Sequence, residues 1–148
     1  MKKHMLALAV LLTVSAFAAD TSEPKGWLNP AVTQANIYQT ICVSGYTATI
    51  RPPVSYTNSL KKSQMHTRAL PGVMSDYEED HFVPLGLGGH PTNPQNLFPE
   101  LWADAHKKDV VEVGLMRRVC AGTMTLARAQ QVFLTHQWQS VTNVRTFK

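Results

Sequence analysis

The sequence predicts one small α+β domain that contains more helix than strand. The segments 101–120 and 125–138 place apolar residues at steps of three and four, which is the spacing of a helix with one buried face. The segment 41–50 (ICVSGYTATI) is rich in β-branched and aromatic residues, which is typical of a strand. The sequence of 148 residues shows no internal repeat or long linker, and its length suits one domain with one core.

Residues 1–19 predict a signal peptide. Lys2 and Lys3 form a positive start, the run 5–17 is apolar but short for a membrane span, and small residues follow where a signal peptidase cuts. A buried N-terminal helix is the alternative, but the run has no polar face to turn towards water. We therefore expect an exported protein, periplasmic or secreted, that leaves the membrane after cleavage and keeps residues 20–148 as its single domain.

The charge of that domain permits binding to nucleic acid without requiring it. Lys2 and Lys3 are the charged side chains of residues 1–19, so the remaining chain has 12 Lys and Arg against 10 Asp and Glu, a net charge of +2. A strongly basic sequence, which is the usual mark of a nucleic-acid-binding domain, is absent.

Cys42 and Cys120 are the two cysteines of the sequence. In an oxidising compartment, an even pair in a small domain favours a disulfide, which here joins an early segment to a late helix. Two buried free thiols are the alternative. A cysteine-based metal site is disfavoured because the two residues are far apart and no CxxC pair is present.

The remaining elements follow in order from residue 31. We expect a short helix at 31–40 and then the strand at 41–50, which ends at the Arg-Pro-Pro sequence because proline has no amide hydrogen to donate to a ladder. The segment 56–68 (YTNSLKKSQMHTR) predicts a short basic helix, and the Leu-Pro-Gly sequence at 70–72 predicts a turn. The last helix, 125–138, begins at a threonine that can cap it.

The helix 101–120 has the strongest periodicity in the sequence. Trp102 and Val113 fall on one face, which we expect to point inward. His106 and Asp109 lie on the same face between them. The pattern therefore predicts two polar groups within a buried stripe, which is the kind of interruption that a functional site produces.

The central stretch 78–100 (EEDHFVPLGLGGHPTNPQNLFPE) follows neither a helical nor a strand period. Asp80 and His81 are adjacent before a proline turn and a Gly-Gly loop, and Asn96 can donate and accept across that loop. We expect a hairpin, a loop and then a helix that brings His106 back towards His81. A carboxylate and two imidazoles in one cleft can hold a divalent cation and leave one histidine free as a base.

These residues resemble the HNH nuclease motif of the ββα-metal superfamily. The motif residues are, in order, Asp80-His81, Pro84-Leu85, Gly88-Gly89, Asn96-Leu97 and His106. The likeness covers residues 80–108, and the wider sequence looks like a group of small exported bacterial proteins described as HNH-like. The resemblance implies a ββα-metal core with additional helices around it.

The resemblance also implies a role for each residue. His81 would be the general base that activates water, and Asn96 would bond across the loop and fix the orientation of His81. Asp80 and His106 would bind one divalent metal ion (Mg²⁺, Mn²⁺, Ni²⁺ or Zn²⁺). Asp109, three residues after His106 on the same helix face, is an additional oxygen ligand by helix geometry.

The function that follows is a metal-dependent endonuclease of HNH type that hydrolyses phosphodiester bonds with little sequence specificity. Its partner would be nucleic acid, with DNA favoured over RNA. Arg51, His90 and Lys108 are the candidate contacts to substrate.

A second function stays open, which is a non-catalytic binding module on the same scaffold. It would bind nucleic acid, a cell-wall polymer or a protein partner, and the modest charge and short ligand set favour it. Geometry separates the two functions. Convergence of Asp80, His81 and His106 on one point would favour the enzyme, whereas a His106 that points to solvent would favour the module. Hydrolysis of another phosphate ester by the same site is a third possibility.

Overall fold

The structure is a computed structural model that describes residues 26–143. In chain order, the regular elements are helices α1 (Tyr46–Ile50) and α2 (Val54–Thr67), strands β1 (Tyr77–His81) and β2 (Leu97–Leu101), and helices α3 (Trp102–Cys120) and α4 (Leu126–Leu134). Short 3-10 helices lie between or beside them at Gln34–Gln39, Met74–Asp76, Leu85–Leu87, Pro94–Asn96 and Gln137–Ser140. The predicted α+β class, with more helix than strand, is confirmed.

The predicted signal peptide, residues 1–19, lies outside the described residues, so it stays a prediction. Within 26–143, no helix combines the length and the apolar character that crossing a membrane requires.

The hydrophobic core lies between α3, α4 and the turn that follows β1. Its most deeply buried side chains are Val83, Leu87, Leu115, Val119, Ala129, Val132 and Phe133. Thr125 caps α4 by accepting a hydrogen bond from the Arg128 amide, as its sequence predicts, and the helix ends at Leu134, four residues before the predicted end at residue 138. This core holds α3 against the rest of the domain and fixes which of its faces points inward.

The predicted disulfide between Cys42 and Cys120 is confirmed. The two Cα atoms lie 5.6 Å apart although 78 residues separate them in the chain. The bond joins the segment before α1 to the C-terminal end of α3. Such a closed loop stabilises a fold by roughly 2–4 kcal/mol, mainly by restricting the unfolded chain.

The predicted strand at 41–50 is wrong. The chain turns after residue 40, Gly45 adopts a left-handed conformation with φ of 83°, and Tyr46–Ile50 then forms α1. Strand-forming residues need a neighbouring strand, and the sheet in the described chain consists of β1 and β2 alone. Cys42 is bonded to the end of α3, away from that sheet, so this segment has no ladder to join.

The predicted inward face of α3 is also wrong, although the helix itself is confirmed. Trp102 and Val113 are 42% and 40% exposed. The buried residues are Ala105, Lys108, Val111, Leu115 and Val119. These residues also recur at steps of three and four, but the stripe contains a lysine, which a hydrophobicity pattern assigns to the wet side. Packing of Leu115 and Val119 in the core selects this face over the predicted one.

Candidate functional site

The central stretch forms a hairpin that leads directly into a helix. Strands β1 and β2 pair antiparallel, with His81 opposite Leu97, Asp80 opposite Phe98 and Glu78 opposite Glu100. Helix α3 begins at the residue after β2. The order of strand, loop, strand and helix is the order that the HNH resemblance implies, and it brings the carboxylates of the hairpin against α3.

Asn96 holds the loop of the hairpin closed. Its side chain is fully buried; its Oδ1 accepts from the Val83 amide at 2.8 Å, and its Nδ2 donates to the carbonyls of Val83 and His90 at 3.0 Å each. These bonds satisfy three backbone groups that would otherwise lack partners inside the protein. These bonds join the end of the loop, at Asn96, to its start at Val83 and to its middle at His90.

The Gly-Gly sequence lets the loop backbone pass very close to the end of β1. A Cβ on Gly89 would lie 1.7 Å from the carbonyl oxygen of Val83, which no side chain can occupy. Gly88 has φ of 77°, the left-handed region that favours glycine. This close approach and the left-handed backbone explain why the motif has glycine at positions 88 and 89, which no helix or strand period requires.

His81 is fixed in one orientation. It is 3% exposed, and its Nε2 lies 2.9 Å from the carbonyl oxygen of Pro91. Because a carbonyl oxygen only accepts, Nε2 must carry the proton, and in the neutral ring the lone pair is then on Nδ1. Burial lowers the pKa of His81, although the bond to Pro91 acts in the opposite direction. The residue is therefore held as a neutral imidazole, which is the form a general base requires.

Asp80 reaches α3 rather than the loop. Its Oδ2 accepts a hydrogen bond from Lys108 Nζ, which also lies 3.2 Å from Glu100 Oε2. Lys108 is only 2% exposed, and its ammonium stands 5.4 Å from the centre of the Phe98 ring. One ammonium therefore joins a carboxylate from each strand, inside the angle between the hairpin and α3.

The carboxyl groups around Lys108 have shifted pKa values. Burial acts to raise the pKa of Asp80, but the ammonium of Lys108 and its hydrogen bond lower it below its usual value. Burial raises the pKa of Glu100 to about 7, and the negative charge of Asp80 adds to that rise. The pKa of Glu112, one turn after Lys108, rises to about 7 for the same two reasons. Glu100 and Glu112 are the members of this cluster to which the sequence analysis gave no role.

Arg51 lies close enough to the hairpin to influence two of its charged groups. Burial is the main cause that raises the pKa of Glu78, and the charge of Arg51 acts against that rise. The same charge contributes to the lowered pKa of His81. Arg51 is exposed, so it is a cation near His81 that a substrate can reach.

Two predicted ligands do not join Asp80. His106 is exposed, and its ring centre lies 5.8 Å from the ring centre of Trp102 on the outer side of α3. Asp109 is exposed as well. Both belong to the face of α3 that was predicted to point inward and instead faces water, while Lys108 takes the inward position.

The arranged residues do not fit a divalent metal ion. Across residues 26–143, no group of three or more His, Cys, Asp or Glu side chains is placed to hold one. The two carboxylates that meet behind the hairpin, Asp80 and Glu100, already share the ammonium of Lys108. A divalent cation placed there would be repelled by the positive charge of the Lys108 ammonium, which is bonded to the same carboxylate oxygens.

The other predicted substrate contacts have different surroundings. Lys108 is buried, so its ammonium faces carboxylates and not solvent. His90 is partly buried, and its Nδ1 accepts from the amides of Thr92 and Asn93 at 3.3 and 3.0 Å, which shapes the loop. His90 also borders an open groove of about 850 Å³, whose other walls include Leu28, Val32 and Leu126.

No family model, no curated protein and no solved structure matches the chain. The likeness to the HNH motif therefore rests on residues 80–108, and the function has to be argued from the side chains themselves.

Proposed function

We propose that this chain is an exported phosphodiester hydrolase of HNH type that acts on nucleic acid and uses His81 as its general base. The observation that carries the proposal is the bond between Nε2 of His81 and the Pro91 carbonyl. It leaves the lone pair on Nδ1 to take a proton. In the described chain, Nδ1 makes no hydrogen bond that would occupy it.

The chemistry needs two further contributions from this chain. Asn96 bonds to Val83, two residues after His81, and to the carbonyl of His90, the residue before Pro91, so it fixes the backbone next to the carbonyl that orients the imidazole. Arg51 supplies an exposed positive charge for the phosphate. In the reaction, His81 Nδ1 takes a proton from the attacking water as the water oxygen bonds to phosphorus, the bond from phosphorus to the ester oxygen breaks, and that oxygen takes a proton from solvent. General-base assistance of this kind accelerates hydrolysis by about 100-fold or more.

The setting of this activity is part of the proposal. The disulfide of Cys42 and Cys120 supports an oxidising compartment, which agrees with export to the periplasm or the medium. The net charge of +2 for residues 20–148 permits contact with nucleic acid. DNA is the first substrate to test, and single-stranded RNA is the second.

The test uses purified residues 20–148 with supercoiled plasmid and single-stranded RNA. Each substrate is incubated with chelator and with Mg²⁺, Mn²⁺, Ni²⁺ or Zn²⁺ in turn. His81→Gln keeps an amide donor for Pro91 but lacks the basic nitrogen, so we expect it to lose cleavage by about 100-fold or more. His66→Gln, on the exposed side of α2, is the matched control and should cleave as the wild type does. A folded wild type that cleaves neither substrate under any condition would refute the proposal.

One observation favours the non-catalytic binding module as a second candidate. His106 faces solvent beside the partly exposed Trp102, as this alternative requires. An imidazole and an indole on the surface can bind a base, a sugar ring or a protein side chain without chemistry. If cleavage fails, fluorescence anisotropy with labelled single-stranded DNA tests this candidate. Loss of binding in Trp102→Ala, with binding retained in the distant Tyr38→Ala, would support it.

A further inference from the structure

We propose that the ammonium of Lys108 takes the position that a divalent cation would occupy in a ββα-metal site, so that this protein needs no divalent metal. The inference about the cation position rests on the contacts of Lys108 and on the resemblance, which makes Asp80 a metal ligand. Its consequence for catalysis, which is cleavage that resists chelators, rests on the proposed function.

Asp80, Glu100 and Lys108 come from β1, β2 and α3, and they meet at one point. Glu78 and Glu100 lie opposite each other in the hairpin, and Asp80 is two residues after Glu78, so Asp80 and Glu100 share the face that looks towards α3. Lys108 projects from α3 onto that face. A carboxylate from each strand and a group from the helix therefore meet at one point, but the helix contributes a cation and not a metal ligand.

The contacts around Nζ of Lys108 are those that suit an ammonium ion. Nζ of Lys108 bonds to Asp80 Oδ2 and lies 3.2 Å from Glu100 Oε2, which is a hydrogen-bonding distance and longer than any magnesium–oxygen bond. The Phe98 ring lies beside the same Nζ and contributes a cation–π contact. The ammonium thus has two carboxylates and an aromatic ring around it and is 2% exposed.

The side chains of α3 that were predicted to bind a metal do not lie at this point. His106 and Asp109 are exposed on the other side of α3. The residue one turn before Lys108 on the inward face is Ala105, which has no ligand atom. In the described part of the chain, the inward face of α3 thus supplies a positive charge where the resemblance requires a donor.

A variant that lacks the Lys108 ammonium should differ from the wild type in its binding of divalent cations. Lys108→Met keeps much of the buried stem and removes the charge, which leaves Asp80 and Glu100 facing each other without a cation. We expect this variant to gain a site for one divalent cation that the wild type lacks, because oxygen ligands suit Mn²⁺ and Mg²⁺.

The experiment measures Mn²⁺ binding by electron paramagnetic resonance and the midpoint of thermal unfolding with chelator or with Mn²⁺. The wild type and Lys107→Met, a change at the exposed neighbouring lysine, should bind no Mn²⁺ at this site and unfold at the same temperature in both solutions. Lys108→Met should bind Mn²⁺ and unfold at a higher temperature with it. The double variant Lys108→Met/Asp80→Asn should lose both effects.

The outcomes that overturn the inference are separate from those that overturn the proposed function. Binding of Mn²⁺ by the wild type that Asp80→Asn abolishes would show that Lys108 does not hold the cation position. This arm decides the matter even if Lys108→Met does not fold. Cleavage that requires a metal and also requires His81 would leave the proposed function intact and remove the inference. Absence of cleavage would refute the proposed function, and the Mn²⁺ measurements would still decide whether Lys108 holds the cation position.

Discussion

The hairpin loop and the inward face of α3 are two halves of one candidate site, and they relate to the sequence in different ways. In the loop, Asn96 bonds across to Val83 as predicted, and His81 is held by the Pro91 carbonyl. On α3, the predicted ligand His106 faces water and Lys108 takes the inward position. Loop geometry depends on hydrogen bonds between residues close in sequence, whereas the rotation of a helix depends on core contacts made by residues far along the chain.

The largest expected effect on stability belongs to the helix half. Lys108→Ala leaves the buried carboxylate of Glu100 and the partly buried carboxylate of Asp80 without their cation, and breaking a buried ion pair in this way costs about 3–5 kcal/mol of the free energy of unfolding. Urea unfolding measures the change. Lys107→Ala removes only a surface pair with Asp104 and should cost less than about 1 kcal/mol. Equal effects of the two substitutions would show that Lys108 is not buried between carboxylates.

Next in size is the loop half. Asn96→Ala removes the partners of three backbone groups at Val83 and His90, and leaving such groups unpaired costs about 3 kcal/mol in total. Asn93→Ala, which loses one bond to the exposed Gln95 amide, should cost about 1 kcal/mol or less. Urea unfolding compares them, and a smaller loss for Asn96→Ala than for Asn93→Ala would mean that the loop is not closed by Asn96.

A pH-dependent effect distinguishes Glu79, whose carboxylate has no bonded cation, from Asp80 and Glu100, which share the ammonium of Lys108. Both carboxylate oxygens of Glu79 are buried without a hydrogen-bond partner in the described chain, and burial raises its pKa from 4.5 to about 7. The folded protein therefore binds more protons than the unfolded chain between these pH values. The contribution of Glu79 to stability is full below pH 4.5 and is lost as the pH rises to about 7.

Substitution of Glu79 tests this dependence directly. In Glu79→Gln, the fall of the unfolding midpoint between about pH 5 and about pH 8 should be smaller than in the wild type, because the neutral amide cannot ionise. Asp104→Asn, a change at an exposed carboxylate, should keep the wild-type slope. An unchanged slope in Glu79→Gln would assign the dependence to Glu100 or Glu112, whose pKa values are raised as well.

The smallest effect is expected at His106, which the resemblance implied as a second metal ligand. His106→Ala should leave cleavage of plasmid or RNA unchanged and alter the free energy of unfolding by less than about 0.5 kcal/mol, since the side chain is exposed. Loss of cleavage in this variant, with folding intact, would reverse the comparison and return His106 to the site.

The sequence predicted the loop more completely than it predicted the helix face. Pro84 and Gly88 shape the backbone locally, and the partners of Asn96 lie 6 and 13 positions away, within the same loop. The disulfide followed from the expected compartment and the even number of cysteines. The helical stripe that includes Lys108 was hidden because periodicity treats lysine as a solvent-facing residue. Its burial depends on Asp80 and Glu100, two acidic residues on strands that no helical pattern includes.

The failed strand prediction has a related cause. The segment 41–50 contains strand-forming residues, but a strand requires a partner, and propensity carries no information about partners. The same segment contains Cys42, whose bond to Cys120 is a contact across 78 residues. Long-range contacts of this kind overrode local preference at α1 and selected the inward face at α3.

The disulfide has one more consequence, which concerns proteolysis outside the cell. Arg51, the hairpin, the Asn96 loop and Lys108 all lie between Cys42 and Cys120 in the chain. A protease that cuts once between the two cysteines, for example at the exposed turn of residues 69–72, produces two pieces that remain covalently joined. The fragments can then stay assembled through their core contacts, so a single nick does not by itself release any part of the site.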